Sequence, residues 1–151
     1  MKYKFLLLSG ALATLIYVAT VILGGILRPD YSHLSEAVSA LIATGAPNRP
    51  ILNPLFALYN ILTGVFGISL FFFVSSKGRT RAKLNLGTLG AIVLVAEAAF
   101  GFVTVLFPQD PDLPPPVTSA GMMHIILAGL SSLTTMAAIL LRASGSGGSQ
   151  V

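Results

Sequence analysis

Four polar side chains, those of Tyr17, Asn60, Glu97 and His124, lie within otherwise apolar stretches of the chain. A carboxylate such as that of Glu97 costs about 2.5–3.5 kcal/mol at the centre of a membrane-spanning helix, so it should face protein rather than lipid. With a rise of about 1.5 Å per residue, Glu97 and His124 fall about 15 Å and about 10 Å from the same end of a helix bundle. Tyr17 and Asn60 lie at comparable depths. The sequence therefore predicts one intramembrane polar cluster formed by these four side chains.

Two interpretations of the polar cluster stay open at this point. In the first, the cluster is a structural network in which Glu97 hydrogen-bonds His124 or Asn60 and fixes the packing of the helices. In the second, it is a site for a ligand or for protons, because ionisable groups inside a membrane are candidates for function. The substitution Glu97→Gln distinguishes them, since unchanged folding with a lost activity or pH response would favour the site.

A second candidate pair, His33 and Glu36, lies in a polar segment outside the apolar stretches. Their spacing of three residues would allow both to bind one metal ion, but such a pair is more typical of a solvated helix face. A haem held by two histidines is disfavoured because His33 is not on an apolar segment. Serines flank His33, yet no oxyanion-binding device accompanies them. The chain has no cysteine, which excludes disulfides and thiolate metal sites. We therefore predict no catalytic residue, no metal and no cofactor.

The composition indicates which elements must position these side chains. Of 151 residues, 54% are hydrophobic and 9% are charged, and the mean hydropathy is +0.86, whereas soluble domains carry about 25% charged residues. Each of four apolar segments is long enough to cross a hydrocarbon core of about 30 Å. These segments are residues 5–27, 51–76, 84–107 and 117–141. We predict an all-α polytopic membrane protein with one transmembrane domain over residues 1–143 and a disordered Gly/Ser-rich tail over residues 144–151.

The distribution of basic residues predicts the orientation of the four segments. Most lie on one side, which the positive-inside rule assigns to the cytoplasm: Lys2, Lys4, Lys77, Arg79, Arg81, Lys83 and Arg142. Arg28 and Arg49 lie on the other side, so both termini are expected in the cytoplasm. Lys77, Arg79, Arg81 and Lys83 are also candidates for contacts with anionic lipid head groups, at about 1 kcal/mol per basic residue. The net charge of +4 forms no basic face, which argues against nucleic-acid binding.

Small and polar residues recur at helical spacing in every apolar segment, for example Gly90, Gly101 and Thr104 around Glu97. Transmembrane helices associate through such residues, so the segments should form an antiparallel four-helix bundle. The first outer loop should add a short amphipathic helix within residues 32–44, lying on the outer membrane surface or over the bundle mouth. Its expected apolar face carries Leu34, Val38, Leu41 and Ile42, and its polar face carries Ser32, Glu36 and Ser39.

Several motifs resemble those of a known family. They are Arg28-Pro29-Asp30-Tyr31-Ser32-His33-Leu34-Ser35, Gly45-Ala46-Pro47, Asn53-Pro54-Leu55-Phe56, and Phe107-Pro108-Gln109-Asp110 followed by Gly121 and His124. Over roughly residues 10–142 the chain is similar to the DUF998 family of uncharacterised bacterial and archaeal membrane proteins, which distantly resembles the Frag1/DRAM group. The resemblance implies an architecture and a location in a prokaryotic plasma membrane, and it implies no reaction.

Two departures from the family pattern bear on partners. Ser39-Ala40-Leu41 stands where members commonly carry Ser-Glu-Leu, so a loop carboxylate is missing. Many members also have more membrane spans than this chain. A member with four spans would need self-association or a membrane partner subunit, besides the lipid bilayer, to cover its inner surfaces.

The leading functional hypothesis is a non-enzymatic membrane protein that binds lipid or a protein partner through its bundle and outer loop. The first alternative is a transporter or proton-coupled protein that uses Glu97 and His124 in a site opening to the outer face. The second is a membrane enzyme acting on lipid at the outer surface, for which His33 and Glu36 would have to converge with His124. A wide cavity reaching Glu97 would favour transport, and a filled interior with an exposed small-residue face would favour partner binding.

Overall fold

The computed structural model describes residues 6–77, 86–111 and 117–146. Within these ranges the chain forms four α-helices and one short 3₁₀ helix: α1 Leu8–Leu27, the 3₁₀ helix Val38–Ile42, α2 Arg49–Lys77, α3 Leu86–Thr104 and α4 Ser119–Ser146. Each α-helix is long and apolar enough to cross a membrane, with a mean hydropathy between 1.8 and 2.1 over its most apolar part. The prediction of an all-α fold with four helices long and apolar enough to span a membrane is confirmed.

The helices of this four-helix bundle pack in chain order, α1 against α2, α2 against α3, and α3 against α4. Contacts between α1 and α2 run in opposite order along the two helices, because Gly10 lies beside Phe66 and Gly24 lies beside Leu52. Within the described ranges, α1 and α4 do not pack against each other. The bundle is therefore open on the side between its first and last helices.

Small residues allow α2 and α3 to approach closely. A Cβ atom at the buried Gly67 would lie 2.9 Å from Val95 Cγ2 and 3.2 Å from the Val95 backbone nitrogen. One turn earlier in α2, a Cβ atom at Gly64 would lie 3.5 Å from the Ala98 Cβ, which is an ordinary contact. Packing through small side chains is the usual way in which helices associate in lipid.

The segments that connect α1 to α2 and α3 to α4 meet at one end of the bundle, which we call the loop end. The backbone N–H of Thr44 donates to the Gln109 carbonyl at 2.8 Å, and the Ser39 hydroxyl donates to the Gln109 side-chain oxygen. An apolar core joins the 3₁₀ helix to the adjacent helices. Its buried members are Tyr31, Ala40, Leu41, Ile42, Leu52 and Phe56.

The first connecting segment differs from the predicted amphipathic helix. Its helical part is restricted to the five residues of the 3₁₀ helix, and it is preceded by a turn in which Glu36 N–H donates to Ser32 O at 2.9 Å. The Glu36 carboxylate also accepts a hydrogen bond from Ser32 N–H at 2.8 Å, which holds the turn. As a result Leu34, expected on the apolar face, is fully exposed, whereas Leu41 is 2% exposed.

Some predicted boundaries also differ. α4 continues to Ser146, so residues 144–146 of the expected tail are helical, and residues 147–151 lie outside the described residues. Of the predicted head-group contacts, Lys77 is the last residue of α2. Arg79, Arg81 and Lys83 lie outside the described residues.

A candidate binding cleft between α1 and α4

A cleft of about 220 Å³ lies on the open side of the bundle, and we call it the α1–α4 cleft. All four helices and the 3₁₀ helix contribute to its lining. Its polar lining residues are Tyr17, Ser39, Tyr59, Asn60, Thr104, His124, Ser131 and Ser132. Its other lining residues are Val38, Ile42, Phe56, Gly101, Val105 and Ala128. With His124 neutral, none of these described residues carries a formal charge.

Aromatic side chains form one wall of the cleft. The Tyr17 ring of α1 lies 5.0 Å from the Tyr59 ring and 5.9 Å from the Phe56 ring, both of α2, between ring centroids. The Tyr17–Phe56 planes meet at 64°, an edge-to-face arrangement that favours the pair beyond its apolar contact. This wall attaches α1 to α2 at the depth of the polar groups.

His124 presents one ring nitrogen without a partner. Its side chain is 3% exposed, and its Nδ1 lies 2.7 Å from the Phe107 carbonyl oxygen. Because a carbonyl oxygen only accepts, Nδ1 must carry the hydrogen. In the neutral ring Nε2 is then an acceptor, and it is buried with no hydrogen bond in the described part of the chain.

Asn60 presents an unpaired oxygen. The residue is 5% exposed, and its Nδ2 donates to the Phe56 carbonyl oxygen at 2.8 Å. That bond fixes which end of the amide is the oxygen, since a carbonyl cannot accept from Oδ1. Oδ1 lies against Gly101, a residue that itself lines the cleft. It has no hydrogen-bond partner among the described residues.

Glu97 lies next to the cleft and is not part of its lining. The residue is 3% exposed, and its Oε1 accepts a hydrogen bond from the Ser131 hydroxyl at 3.4 Å. The Tyr59 hydroxyl also interacts with this carboxyl group. Ser131 and Tyr59 both line the cleft, so they connect Glu97 to it. Oε2 makes no hydrogen bond in the described ranges.

The structure thus brings Tyr17, Asn60 and His124 to one cleft and places Glu97 next to it. The hydrogen bond from Glu97 to His124 or Asn60, on which the structural-network interpretation relied, is not formed. Glu97 pairs instead with Ser131, which lies two helical turns, about 10 Å, from His124 along α4.

Residues 107–110 connect the loop end to the start of α4. The Phe107 carbonyl accepts from His124, and the buried Gln109 accepts hydrogen bonds from the first connecting segment. The buried Asp110 accepts from the N–H groups of Val117 and Thr118 at 2.9 and 3.0 Å, and from the Thr118 hydroxyl at 2.7 Å. These contacts set the position of α4, and with it that of His124.

Asp110 and Thr118 together cap α4. The Thr118 hydroxyl accepts from Gly121 N–H at 3.0 Å, as an N-cap residue does. A Cβ atom at Gly121 would collide with the Asp110 carboxylate, so glycine leaves room for it. The hydrogen bond from the Thr118 backbone N–H, followed by those from the Thr118 hydroxyl and Val117 N–H, lowers the pKa of Asp110 below its ordinary value. The carboxylate is therefore favoured in its charged form.

The outer-loop candidates His33 and Glu36 have other partners. The His33 ring packs edge-on against Tyr31 with centroids 4.9 Å apart and lies beside Gly25. Glu36 lies 3.6 Å from the Arg28 guanidinium, which also donates to the Ala40 carbonyl at 3.0 Å. Within the described ranges His33, Glu36 and His124 form no group able to hold a metal ion.

Residues 11–150 match the sequence model of a family described as a protein of unknown function, DUF998. The chain belongs to the DUF998 family. Comparisons with curated proteins and with solved structures find no match. The function of this DUF998 protein must therefore be argued from its cleft.

Sequence reasoning about this DUF998 chain missed the roles of Arg28, Gln109, Asp110 and Ser131. The motif at residues 107–110 carried the resemblance without predicting a role for any of its residues. No local pattern marked Asp110, because it lies eight residues before Thr118 and thus outside the first helical turn, where acidic residues are favourable. Helical spacing places Ser131 on the same face of its segment as His124, but its contact with Glu97 depends on how α3 and α4 face each other.

Proposed function

We propose that this DUF998 protein is an integral membrane protein that binds one membrane amphiphile in the α1–α4 cleft. The observation that supports the proposal is a cleft with unpaired polar atoms on the side where α1 and α4 do not pack. In a bilayer that side would face the acyl chains, so a lipid could enter the cleft laterally from the membrane. Asn60 and His124 are buried in the cleft, whereas Ser132 at its rim is exposed. A ligand with a polar end and an apolar chain would match this arrangement.

A second hollow provides space for the apolar chain of such a ligand. It has a volume of about 460 Å³ and lies farther from the loop end. Its lining residues are Leu7, Gly10, Ala11, Thr14, Thr63, Phe66 and Leu94. Thr14 and Thr63 are each about one helical turn from cleft residues, Tyr17 and Asn60 respectively. An acyl chain whose polar end occupies the cleft could therefore extend along α1 and α2 into this hollow.

The hydrogen bonds of His124 support binding rather than catalysis. A nucleophilic serine needs a base within hydrogen-bond distance, and the base is usually oriented by a third group. In the described ranges no hydroxyl donates to His124 Nε2, and Nδ1 is bound to a backbone carbonyl. Ser131 bonds Glu97 instead. The lining supplies hydrogen-bonding groups without an activated nucleophile, which suits a non-enzymatic lipid-binding protein.

One observation favours a second function, proton-coupled transport. Glu97 is buried in a membrane-spanning helix with Oε2 unpaired in the described ranges, and such carboxyl groups often exchange protons. Because Ser131 and Tyr59 stand between Glu97 and the cleft, we expect Glu97→Gln to fold and to bind ligand as the wild type does. Loss of a proton-dependent response in Glu97→Gln, with ligand binding retained, would favour the transport function.

The proposal includes an orientation and an assembly state. The excess of basic residues that the sequence places before α1, between α2 and α3 and near the end of α4 supports both termini in the cytoplasm and the loop end on the outer face of a plasma membrane. A chain with an open side could also pair with a second copy or another membrane protein. The cleft favours a lipid as the first occupant, because its buried polar atoms need small polar partners.

Native mass spectrometry of the protein in a mild detergent tests the proposal. The variant Ala128→Phe places a large side chain in the cleft. Its neighbour Gly129 is exposed, with nothing within 4 Å of a Cβ atom, so Gly129→Phe adds the same bulk outside the cleft. We expect lipid to remain bound to the wild type and to Gly129→Phe, and to be lost from Ala128→Phe. The same spectra report the stoichiometry of the chain.

The control separates lipid in the cleft from lipid that merely coats the helices. If Ala128→Phe and Gly129→Phe retained lipid equally, the proposal would be overturned, because the bound lipid would then lie elsewhere on the apolar surface. Circular dichroism of all three proteins should show the same helix content, so that a loss of lipid is not a loss of fold.

A further inference from the structure

We infer that the α1–α4 cleft selects a neutral amphiphile with free hydroxyl groups, such as a monoacylglycerol, over charged phospholipids. The inference rests on the proposed function and specifies the polar end of the ligand. It follows from the hydrogen-bonding character of the unpaired atoms and from the absence of charge in the described lining.

Among the described lining residues, the two buried side-chain atoms without a hydrogen bond are both acceptors. His124 Nε2 is an acceptor because Nδ1 carries the hydrogen that bonds Phe107 O. Asn60 Oδ1 is an acceptor because Nδ2 is the atom that bonds Phe56 O. A buried acceptor without a donor is unfavourable, so a ligand that brings donors is stabilised at both atoms. Hydroxyl groups are such donors.

Membrane lipids carry polar ends of different charge, and the absence of charge among the described lining residues determines which of them the cleft favours. An ammonium group buried there would need a carboxylate, and the carboxylate of Glu97 is not in the lining but lies behind the lining residues Ser131 and Tyr59. A phosphate would need a cation, and no lysine or arginine is among the described lining residues. An uncharged hydroxyl group incurs neither cost.

The charged groups of the loop end belong to a separate pocket. Arg28, Asp30 and Glu36 line a pocket of about 280 Å³ that does not share the cleft residues Asn60 and His124. The Arg28 guanidinium lies 3.4 Å from Asp30 and 3.6 Å from Glu36, so it is already paired. These groups therefore provide no charge for a ligand in the cleft.

Three lipids with the same oleoyl chain test the inference on the unaltered protein. 1-Monooleoylglycerol has two free hydroxyl groups, its 2,3-di-O-methyl ether has none, and oleoyl lysophosphatidic acid carries a phosphate. We expect the diol to bind at least about tenfold more tightly than the ether, the loss expected for one or two hydrogen bonds. Lysophosphatidic acid should bind more weakly than the diol. Native mass spectrometry with titrated lipid gives the three affinities.

Two variants test whether the selectivity between the lipids arises in the cleft. Asn60→Leu keeps the approximate shape of the side chain and removes the acceptor, so the preference for the diol over its ether should decrease severalfold. A variant outside the cleft, Gly129→Phe, should keep the wild-type preference. The ratio of the two affinities is informative even when a substitution alters both.

The outcomes separate this inference from the proposed function. Equal binding of the diol and the ether, both lost in Ala128→Phe, would overturn the inference and leave the lipid-binding cleft standing. Tighter binding of lysophosphatidic acid would overturn it as well. Failure of all three lipids to bind, or equal binding to wild type and Ala128→Phe, would overturn the proposed function itself.

Discussion

Asp110 and Thr118 fix the start of α4 through their side chains. The first N–H groups of a helix have no partner within the helix, and hydroxyl and carboxylate side chains are among those that satisfy them. Here the carboxylate comes from the chain preceding the helix, so the cap also ties the end of α3 to the start of α4. His124 lies little more than one turn into α4, and its orientation depends on this cap.

Replacing Thr118 by alanine should destabilise the protein. The substitution removes the hydroxyl that accepts from Gly121 N–H and donates to Asp110, and loss of an N-cap side chain costs about 1 kcal/mol. Thermal unfolding in detergent should show a lower transition temperature. Thr134→Ala is the matched control, since the Thr134 hydroxyl bonds only carbonyls of its own helix. An equal loss in both variants would contradict the assignment of Thr118 as the cap.

The stability of the protein should fall at acid pH because of Asp110. Since folding lowers the pKa of Asp110, the folded state favours the carboxylate. Its contribution is fully present above the unfolded-state pKa, about 3.9, and is lost as the pH falls through the lowered folded-state pKa. The difference in unfolding temperature between the wild type and Asp110→Asn should be constant near neutral pH and shrink below about pH 4. A difference that stays constant into that acid range would show that Asp110 does not act through its charge.

The packing of α2 against α3 can be tested at Gly64 and Gly67, two glycines of α2 that differ in their surroundings. Gly67→Ala should destabilise the protein by about 1–3 kcal/mol, because its Cβ would approach Val95, including the backbone nitrogen, more closely than Cβ atoms normally do. Gly64→Ala should be neutral or slightly stabilising, since its Cβ would make an ordinary contact with Ala98 and alanine favours the helix. The unfolding temperatures of the two variants measure this difference. Equal effects would mean that α2 and α3 are not in contact through Gly67.

The helices could be predicted from the sequence because apolar length is a property of each segment taken alone. Tyr17, Asn60 and His124 could be assigned to one depth because depth follows from counting residues along each helix. The hydrogen-bond partner of Glu97 could not be predicted, since it depends on the rotation of α3 and α4 about their axes. The pattern placed Leu41 and Ile42 on an apolar face, and both are buried. It did not predict that the helix is limited to Val38–Ile42, because the preceding turn, which leaves Leu34 exposed, is held by the bond between Ser32 and Glu36.

At the scale of the whole molecule, the open side of the bundle accounts for the cleft. Each helix packs against its neighbour in the chain. A closed bundle would in addition need α1 to pack against α4. The aromatic wall of Tyr17, Phe56 and Tyr59 instead occupies the inner surface of α1 and α2. The space between these helices contains two buried acceptors, Asn60 Oδ1 and His124 Nε2, that have no hydrogen bond in the described part of the chain, and such atoms are costly unless a donor reaches them.

If the α1–α4 cleft binds a lipid as proposed, the orientation of the molecule decides which leaflet supplies it. The orientation can be measured with single cysteines because the chain contains none. The basic residues that the sequence places before α1, between α2 and α3 and near the end of α4 predict cytoplasmic termini. Ser35→Cys in the first connecting segment and Ser144→Cys near the end of α4 place single thiols at exposed positions on opposite ends of the bundle. A membrane-impermeant maleimide should label Ser35→Cys in intact cells, and it should label Ser144→Cys only after lysis. The reverse pattern would place the loop end in the cytoplasm, and the α1–α4 cleft would then take its ligand from the inner leaflet.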